Sequence, residues 1–492
     1  MLKKIGILGA AGLVLASGIA LAQSTTVLRK QYDTGGVYEG EFLNGQQHGH
    51  GTYRLPNGYE YTGEWVEGRI EGEGKATFPN GSVYVGTFVD GKPHGKGKIT
   101  FSDGGTYEGD WVDGAITGEG KAVYANGVVY EGGFLNAEHH GKGVMTNPDG
   151  YRYEGDWQNG KRIGRAKITY KDGALYEGDV VAVTLDDGKV KDGVREGVGK
   201  ITYPNGLVYE GEWKGGQING KGRLTQANGD RYDGTFVNGQ RDGKGIATYA
   251  SGDVYEGEFK ADRRNGTGTF RDAATVSGGK GYSYTGQWVD GRIEGKGKVT
   301  YPDGSVYEGE FKNDVPDGIG KITYTDGSSY EGEWKAGVIE GKGIARYANG
   351  LVYEGEFKNA KNHGKGTMTY ADGYKYTGDW VNGTREGEGT ATYSDGTVYK
   401  GSFKNGRRHG IGTITMPDGF EYTGEWKNGE IDGKGTAKYS NGDVYVGFFR
   451  KGQRQGRGVM TYASGEEYDG YWAVGRQATE EESKAAEEPS GN

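Results

Sequence analysis

Rings and charges alternate along this chain in short runs that come back again and again. In the segment Tyr61-Thr-Gly-Glu-Trp65, Tyr61, Gly63 and Trp65 would share one side of an extended strand, with Thr62 and Glu64 on the other. A second run follows, in which Gly72, Gly74, Ala76 and Phe78 face away from Glu73, Lys75 and Thr77. Turn signals separate the runs: Glu67-Gly68 inside the unit and Pro79-Asn80-Gly81 after it. Asn-Gly and Asp-Gly suit two-residue hairpin turns because both central residues need positive φ. The pattern predicts a β-hairpin with one face of rings and glycines and one face of charges such as Glu39, Glu41, Lys96 and Lys98. Opposite charges across a strand pair contribute only about 0.2–1 kcal/mol each.

The hairpin repeats. Tyrosine recurs every 23 residues from Tyr38 to Tyr176, again from Tyr209 to Tyr255, and again from Tyr284 to Tyr468. These are blocks of seven, three and nine copies, nineteen in all, and they predict about 38 strands stacked at about 4.8 Å. The ring four residues after each tyrosine alternates, as in Phe42, Trp65, Phe88 and Trp111, so the unit is often a pair of hairpins spanning 46 residues. The order slips once, where Phe236 is followed by Phe259 and then Trp288. One insertion, between Tyr176 and Gly197, lengthens the turn inside the seventh copy by ten residues, and Val180 takes the ring slot there. That copy is the weakest and the place where a bend is expected. A second insertion, around residues 271–281, adds six residues to a turn between copies. In a meander the two turn classes lie on opposite edges, so the insertions should project from opposite edges.

Composition agrees with a repetitive β-structure. Glycine supplies 100 of 492 residues, about three times the usual ~7%. With 37 Tyr, 14 Phe and 9 Trp the chain is too aromatic for a disordered one. One hairpin is not stable alone, so stability must come from stacking copies. These residues fit Tyr-x-Gly-x-Trp/Phe-x-x-Gly-x-x-x-Gly-x-Gly, and the chain resembles the MORN (membrane occupation and recognition nexus) repeat family over about residues 36–475. The resemblance implies an all-β fold, an elongated single-layer twisted antiparallel meander, and a role in organising membranes, cytoskeleton or protein assemblies. It also carries a hazard. MORN repeats precede the catalytic domain of plant phosphatidylinositol phosphate kinases, but here the repeats fill the chain, and no kinase activity is expected.

The ends differ from the array. Met1-Leu2-Lys3-Lys4, an apolar stretch to Ile19 and the small residues of Ala20-Leu21-Ala22 have the composition of a secretory signal peptide cleaved before Gln23. The competing reading is an uncleaved inner-membrane anchor, marginal in length as a span. The domain plan is therefore a signal peptide at 1–22, a lead-in at 23–35, repeat blocks at 36–198, 199–280 and 281–475, and an acidic, disordered tail at 476–492. Export to the periplasm or outside the cell is expected.

Chemistry is harder to find. A net charge of -9 argues against nucleic acid, which needs a basic face, and the absence of cysteine excludes disulfides and thiolate metal sites. His48, His94, His140, His363 and His409 stand ten residues after a repeat tyrosine. Copies 46 residues apart put such histidines roughly 19 Å apart, too far to share a metal. Only His139-His140, or a partner chain, could supply a close pair, and the histidines read as exposed turn residues. The carboxylates repeat with the hairpin and read as a solvated face. No catalytic residue, cofactor or metal site is expected. The candidate surface is the aromatic face: Tyr61, Trp65, Tyr107, Trp111, Tyr153, Trp157, Tyr209, Trp213, Tyr284, Trp288, Tyr330, Trp334, Tyr376, Trp380, Tyr422, Trp426, Tyr468 and Trp472. A one-layer sheet exposing those rings along its length would leave large patches uncovered, so coiling, a homodimer partner or a ligand must cover them. The leading expectation is a non-catalytic scaffold with a protein partner. The alternative is a glycan- or lipid-binding module using the ring face, at a membrane or glycan surface.

Overall fold

The structure, a computed structural model, describes residues 26–486. The signal-peptide reading of residues 1–22 and the last six residues of the acidic tail lie outside the described residues. Among the described residues 39 strands run, hairpin after hairpin, as an open antiparallel β-meander. The described residues divide into two compact units after Ala250, each built from the same hairpins.

One copy explains the rest. Its strands are Glu60–Val66 and Arg69–Thr77. Tyr61 lies opposite Ala76 and Gly63 opposite Gly74, but the next pair is Trp65 with Ile70. Glu71, Gly72 and Glu73 therefore face the single residue Glu64, and the second strand bulges there. Gly72 takes φ +74°, a left-handed conformation that a side chain would strain. The Glu64 carboxylate accepts the Glu73 N–H freed by the bulge, at 3.3 Å. The ladder to the following copy is regular, with Gly72, Gly74 and Ala76 opposite Phe88, Gly86 and Tyr84.

The cross-strand pair Gly63 and Gly74 makes room for the core. The Tyr61 ring folds over it, and a Cβ on either glycine would overlap that ring or the facing backbone. The expected interdigitation of rings and glycines is thus present, with the ring coming from the same strand as the first glycine. On the other face Lys98 meets Glu108 at 3.2 Å and Lys121 meets Glu131 at 3.7 Å. These pairs are exposed and contribute about 0–1 kcal/mol each.

Both ends and both insertions take up regular structure. The lead-in is a strand, Thr26–Gln31, which pairs with Val37–Leu43 and is exposed throughout. The first insertion does not lengthen a turn. It extends the hairpin itself, into strands Leu175–Thr184 and Val190–Thr202, closed by a short turn in which Gly188 N–H donates to Leu185 O. Val183 and Thr184 find ladder partners in Lys191 and Val190, so pairing satisfies backbone groups that a loop would leave to water. The second insertion winds into one turn of helix, Ala273–Val276, on the edge of the between-copy turns. The Asp272 carboxylate caps it, accepting from Thr275 N at 2.8 Å and Tyr282 N at 2.7 Å.

The tail expected to be disordered is ordered as far as Ala485. A three-residue strand, Arg476–Ala478, is followed by a helix, Glu480–Ala485. Thr479 and Glu482 form a reciprocal capping box, and three glutamates occupy the positive first turn, where negative charge is favoured. Ser483 Oγ donates to Trp472 O at 2.9 Å and Gln455 Nε2 donates to Ser483 O at 2.8 Å, which ties the helix to the last hairpins.

Candidate interaction surfaces

The rings proposed as a binding face form the core instead. Of the nine tyrosines in that set eight are buried, and all nine tryptophans are buried, the most exposed being Trp334 at 9%. Tyr468 alone is half-buried. The cause is a staggered chain of edge-to-face contacts. Tyr61 meets Trp65 of its own copy at 5.6 Å and Phe88 of the next at 5.0 Å, and Tyr84 likewise meets Phe88 and Trp111. Each tyrosine is wedged between two copies, and Tyr468, in the last copy, has Trp472 at 5.4 Å. The expectation of uncovered rings fails because each copy covers its neighbour's ring, and one layer suffices.

Polar atoms on these rings are satisfied internally. Tyr61 Oη donates to Glu64 O at 3.0 Å, Tyr107 to Asp110 O, and Tyr209 to Glu212 O. Trp65 Nε1 donates to Gly51 O at 3.3 Å, and the same bond recurs at Trp111, Trp157, Trp213, Trp288, Trp334, Trp380, Trp426 and Trp472. Burial pushes the phenols up, Tyr209 and Tyr330 to about 12, so they stay neutral donors. Where Val180 takes the ring slot it is buried too, and Tyr176 still packs on Trp213 at 5.5 Å.

The histidine reading needs a correction. His139 is not an exposed turn residue. It stacks on Tyr130 at 3.7 Å, meets Trp157 edge-on at 4.8 Å, and its Nε2 lies 2.7 Å from Tyr124 Oη. Burial lowers its pKa to about 4. His139 and His140 point to opposite sides of their strand, as neighbours in a strand must, so they do not combine. The slot ten residues after the repeat tyrosine turns out to hold the next copy together. Glu71 accepts Asp90 N, Glu386 accepts Asn405 N, and His94 Nδ1 accepts Asp113 N at 3.4 Å. Among the described residues no group of three or more His, Asp or Glu side chains could hold a metal.

Sequence reasoning missed three further features. The first is the carboxylate three residues after the tyrosine, read as solvated, which ties off the bulge in copy after copy, as with Asp110 to Glu119 N and Asp379 to Glu388 N. Its signal is the recurrence of Glu or Asp there. The second is Arg162, whose Nε and Nη2 donate to the Asp192 carboxylate at 3.0 and 2.8 Å while Nη1 donates to Tyr151 Oη. Asp192 belongs to the first insertion, so no repeat pattern could have announced it. The third is a second aromatic row beside the between-copy turns, including Tyr301, Tyr324 and Tyr347.

The MORN repeat matches residues 38–58, 61–83, 84–106, 107–129, 130–150, 153–175, 187–208, 209–231, 232–254, 255–273, 284–306, 307–329, 330–352, 353–373, 376–398, 399–420, 422–444 and 445–467. The chain belongs to the MORN repeat family. The seventh MORN segment begins only at residue 187, past Val180, and the copy at Tyr468 is unmatched, its second strand being cut to Arg476–Ala478. No curated protein matches the chain. Among solved structures it is similar to the TCP domain of Drosophila melanogaster SAS-4 in complex with a proline rich motif, at 12% identity over 36% of this chain and 84% of that one, TM-score 0.20. It is also similar to the TCP10 domain of Danio rerio CPAP in complex with a STIL peptide, at 14% identity over 68% and 100%, TM-score 0.10. A streptogramin B lyase aligns at 13% identity over 64% and 92%, TM-score 0.12.

Proposed function

We propose that this MORN-repeat chain is a non-catalytic scaffold that holds protein partners against a periodic surface. The observation that carries this reading is the burial of the Tyr–Trp rows. Because the rings are consumed as core, what each copy offers outward is a repeating set of charges and turns, as at Lys98–Glu108, Lys121–Glu131, Lys167–Glu177 and Lys321–Glu331. A surface that repeats at each copy can engage extended or multivalent partners in register. The same burial weakens the glycan- or lipid-binding alternative, which needed those rings as platforms.

The reading includes export. The residues Met1 to Ala22 support a cleaved secretory signal and a periplasmic or extracellular protein, with a protein partner and a homodimer as candidate assemblies. Fractionation with N-terminal sequencing should find the chain outside the cytoplasm beginning at Gln23; a cytoplasmic chain beginning at Met1 would refute export. For the scaffold itself, photo-crosslinkers placed on the exposed charged face in living cells should give discrete protein adducts. Adducts only to lipid or glycan, or phosphoryl transfer by the purified chain, would overturn it.

A further inference from the structure

In the unit spanning Ser251 to Asn492 one stretch of the ring face is not self-covered. Tyr324 and Tyr347 are 40% and 42% exposed, and Tyr301, one copy earlier in the same register, is half-buried. In several other copies a polar side chain fifteen residues further on caps the ring of this second aromatic row. Arg454 lies over Tyr439 at 5.7 Å, Gln477 donates to Tyr462 Oη, and His139 meets Tyr124 Oη. At Tyr301 and Tyr324 the capping position holds Pro316 and Ile339, which are apolar and short. Beside the row runs a rim of turn aspartates. Asp303 and Asp326 are exposed, and the hydroxyls of Ser305 and Ser328, together with their backbone N–H groups at 2.8 Å, donate to them and hold their carboxyls below the usual carboxylate range. Both carboxylates lie close enough to Tyr324 to raise its phenol, after burial itself.

The spacing suggests the occupant. Successive copies place equivalent rings two strands apart, about 9.6 Å. A polyproline II helix repeats every three residues, about 9.3 Å. A proline-rich segment laid along the row could therefore seat one proline on each of Tyr301, Tyr324 and Tyr347, drifting by less than about 1 Å over the three. Such segments are preformed, so docking on aromatic grooves costs them little entropy. The negative rim favours one that carries Lys or Arg between its prolines.

The geometry points to Tyr301, Tyr324 and Tyr347, with the Asp303 and Asp326 rim, as a docking row for a basic proline-rich segment of a partner protein. This rests on the scaffold reading and names the partner chemistry for one face of it. The test uses the full-length chain and a synthetic peptide with proline at every third position over three turns and arginines between. A same-composition peptide with its prolines regrouped is the control. The ordered peptide should bind and the regrouped one at least roughly tenfold more weakly, and Tyr324→Ala with Tyr347→Ala should cost roughly tenfold, the scale of one or two aromatic contacts. Asp303→Asn with Asp326→Asn, which keeps the turn acceptors, should weaken binding at low salt and flatten its salt dependence. Because these rings are exposed the variants should fold, and unchanged circular dichroism and melting would confirm that. Equal binding of the two peptides, or no effect of the tyrosine pair, overturns the docking row. If the crosslinked protein partner is unaffected by the tyrosine pair, the row fails while the scaffold reading stands; if the chain captures only lipid or glycan, both fail.

Discussion

At the scale of single residues, glycine and tyrosine act as one device. Tyr61 lies over Gly63 and Gly74 and donates a hydrogen bond from its hydroxyl to Glu64 O. Removing the hydroxyl and removing the space beneath the ring should therefore have unequal effects. Tyr61→Phe keeps the ring and loses one net hydrogen bond, a cost of about 1 kcal/mol. Gly74→Ala forces a methyl into the ring, an overpacking cost of about 1–3 kcal/mol or more with local loss of the hairpin. Urea unfolding of the two variants measures the difference, and hydrogen exchange of residues 60–77 shows whether the loss is local. His139 supplies a second prediction at this scale. Its pKa is about 4 because burial disfavours the charged form, against 6.5 in a solvated chain. The unfolded chain therefore takes up the proton first. Stability from neutral His139 is complete above about pH 6.5 and is lost progressively as pH falls towards 4. His139→Ile places the residue that Ile70 and Ile116 supply in other copies. The drop in melting temperature between pH 6.5 and 4.5 should be smaller in the variant than in the parent.

At the scale of elements, the two insertions and the tail show what periodicity can and cannot report. The hairpins, their turns and the ring and charge faces were legible because alternation and turn residues recur in every copy. The bulge at Gly72 was not, since it changes register without breaking the alternation on either side. Burial of the rings was missed for a related reason: a single copy looks open, and the cover comes from Phe88, 27 residues beyond Tyr61. Non-periodic contacts were invisible altogether, and the Arg162–Asp192 pair is the clearest case. Burial alone would raise the Asp192 carboxyl, but the Arg162 bonds outweigh it and hold it below the usual carboxylate range. A carboxyl depressed on folding contributes stability above its unfolded value and loses it as pH falls through the folded one. Acidification below about pH 4 should thus release the extended hairpin at 175–202. Asp192→Asn should already expose its amides to exchange at neutral pH. Thr479→Ala tests the overlooked capping box: it should cost the terminal helix about 1 kcal/mol, visible as faster exchange at residues 480–486.

At the scale of the whole chain, stability is a sum of copies and of the contacts between neighbours, so the architecture should tolerate deletion by whole units and not by fractions. Within the second unit, excision of residues 330–352 removes one complete copy. The ladder can close, because every between-copy pairing has the same register, as in Gly318 with Trp334 and Gly341 with Phe357. What changes is the ring sequence: Phe311 would be followed by Phe357, and Tyr307, which meets Trp334 at 5.2 Å, would meet a smaller ring. The junction should then carry a cavity, with a cost on the scale of about 1–3 kcal/mol confined to the adjoining hairpins. Excision of residues 330–375 removes a Trp/Phe pair and brings Tyr307 against Trp380, a ring of the type it has lost. The larger deletion should therefore be the less damaging at its junction. Excision of residues 330–341 alone would join a strand to a partner running the wrong way and turn ring positions towards the charged face. Thermal melts of the three deletions should rank the 46-residue excision highest, the 23-residue one next and the 12-residue one lowest. A lower melt for the 46-residue excision than for the 23-residue one would show that copy number outweighs ring order in setting the stability of the array.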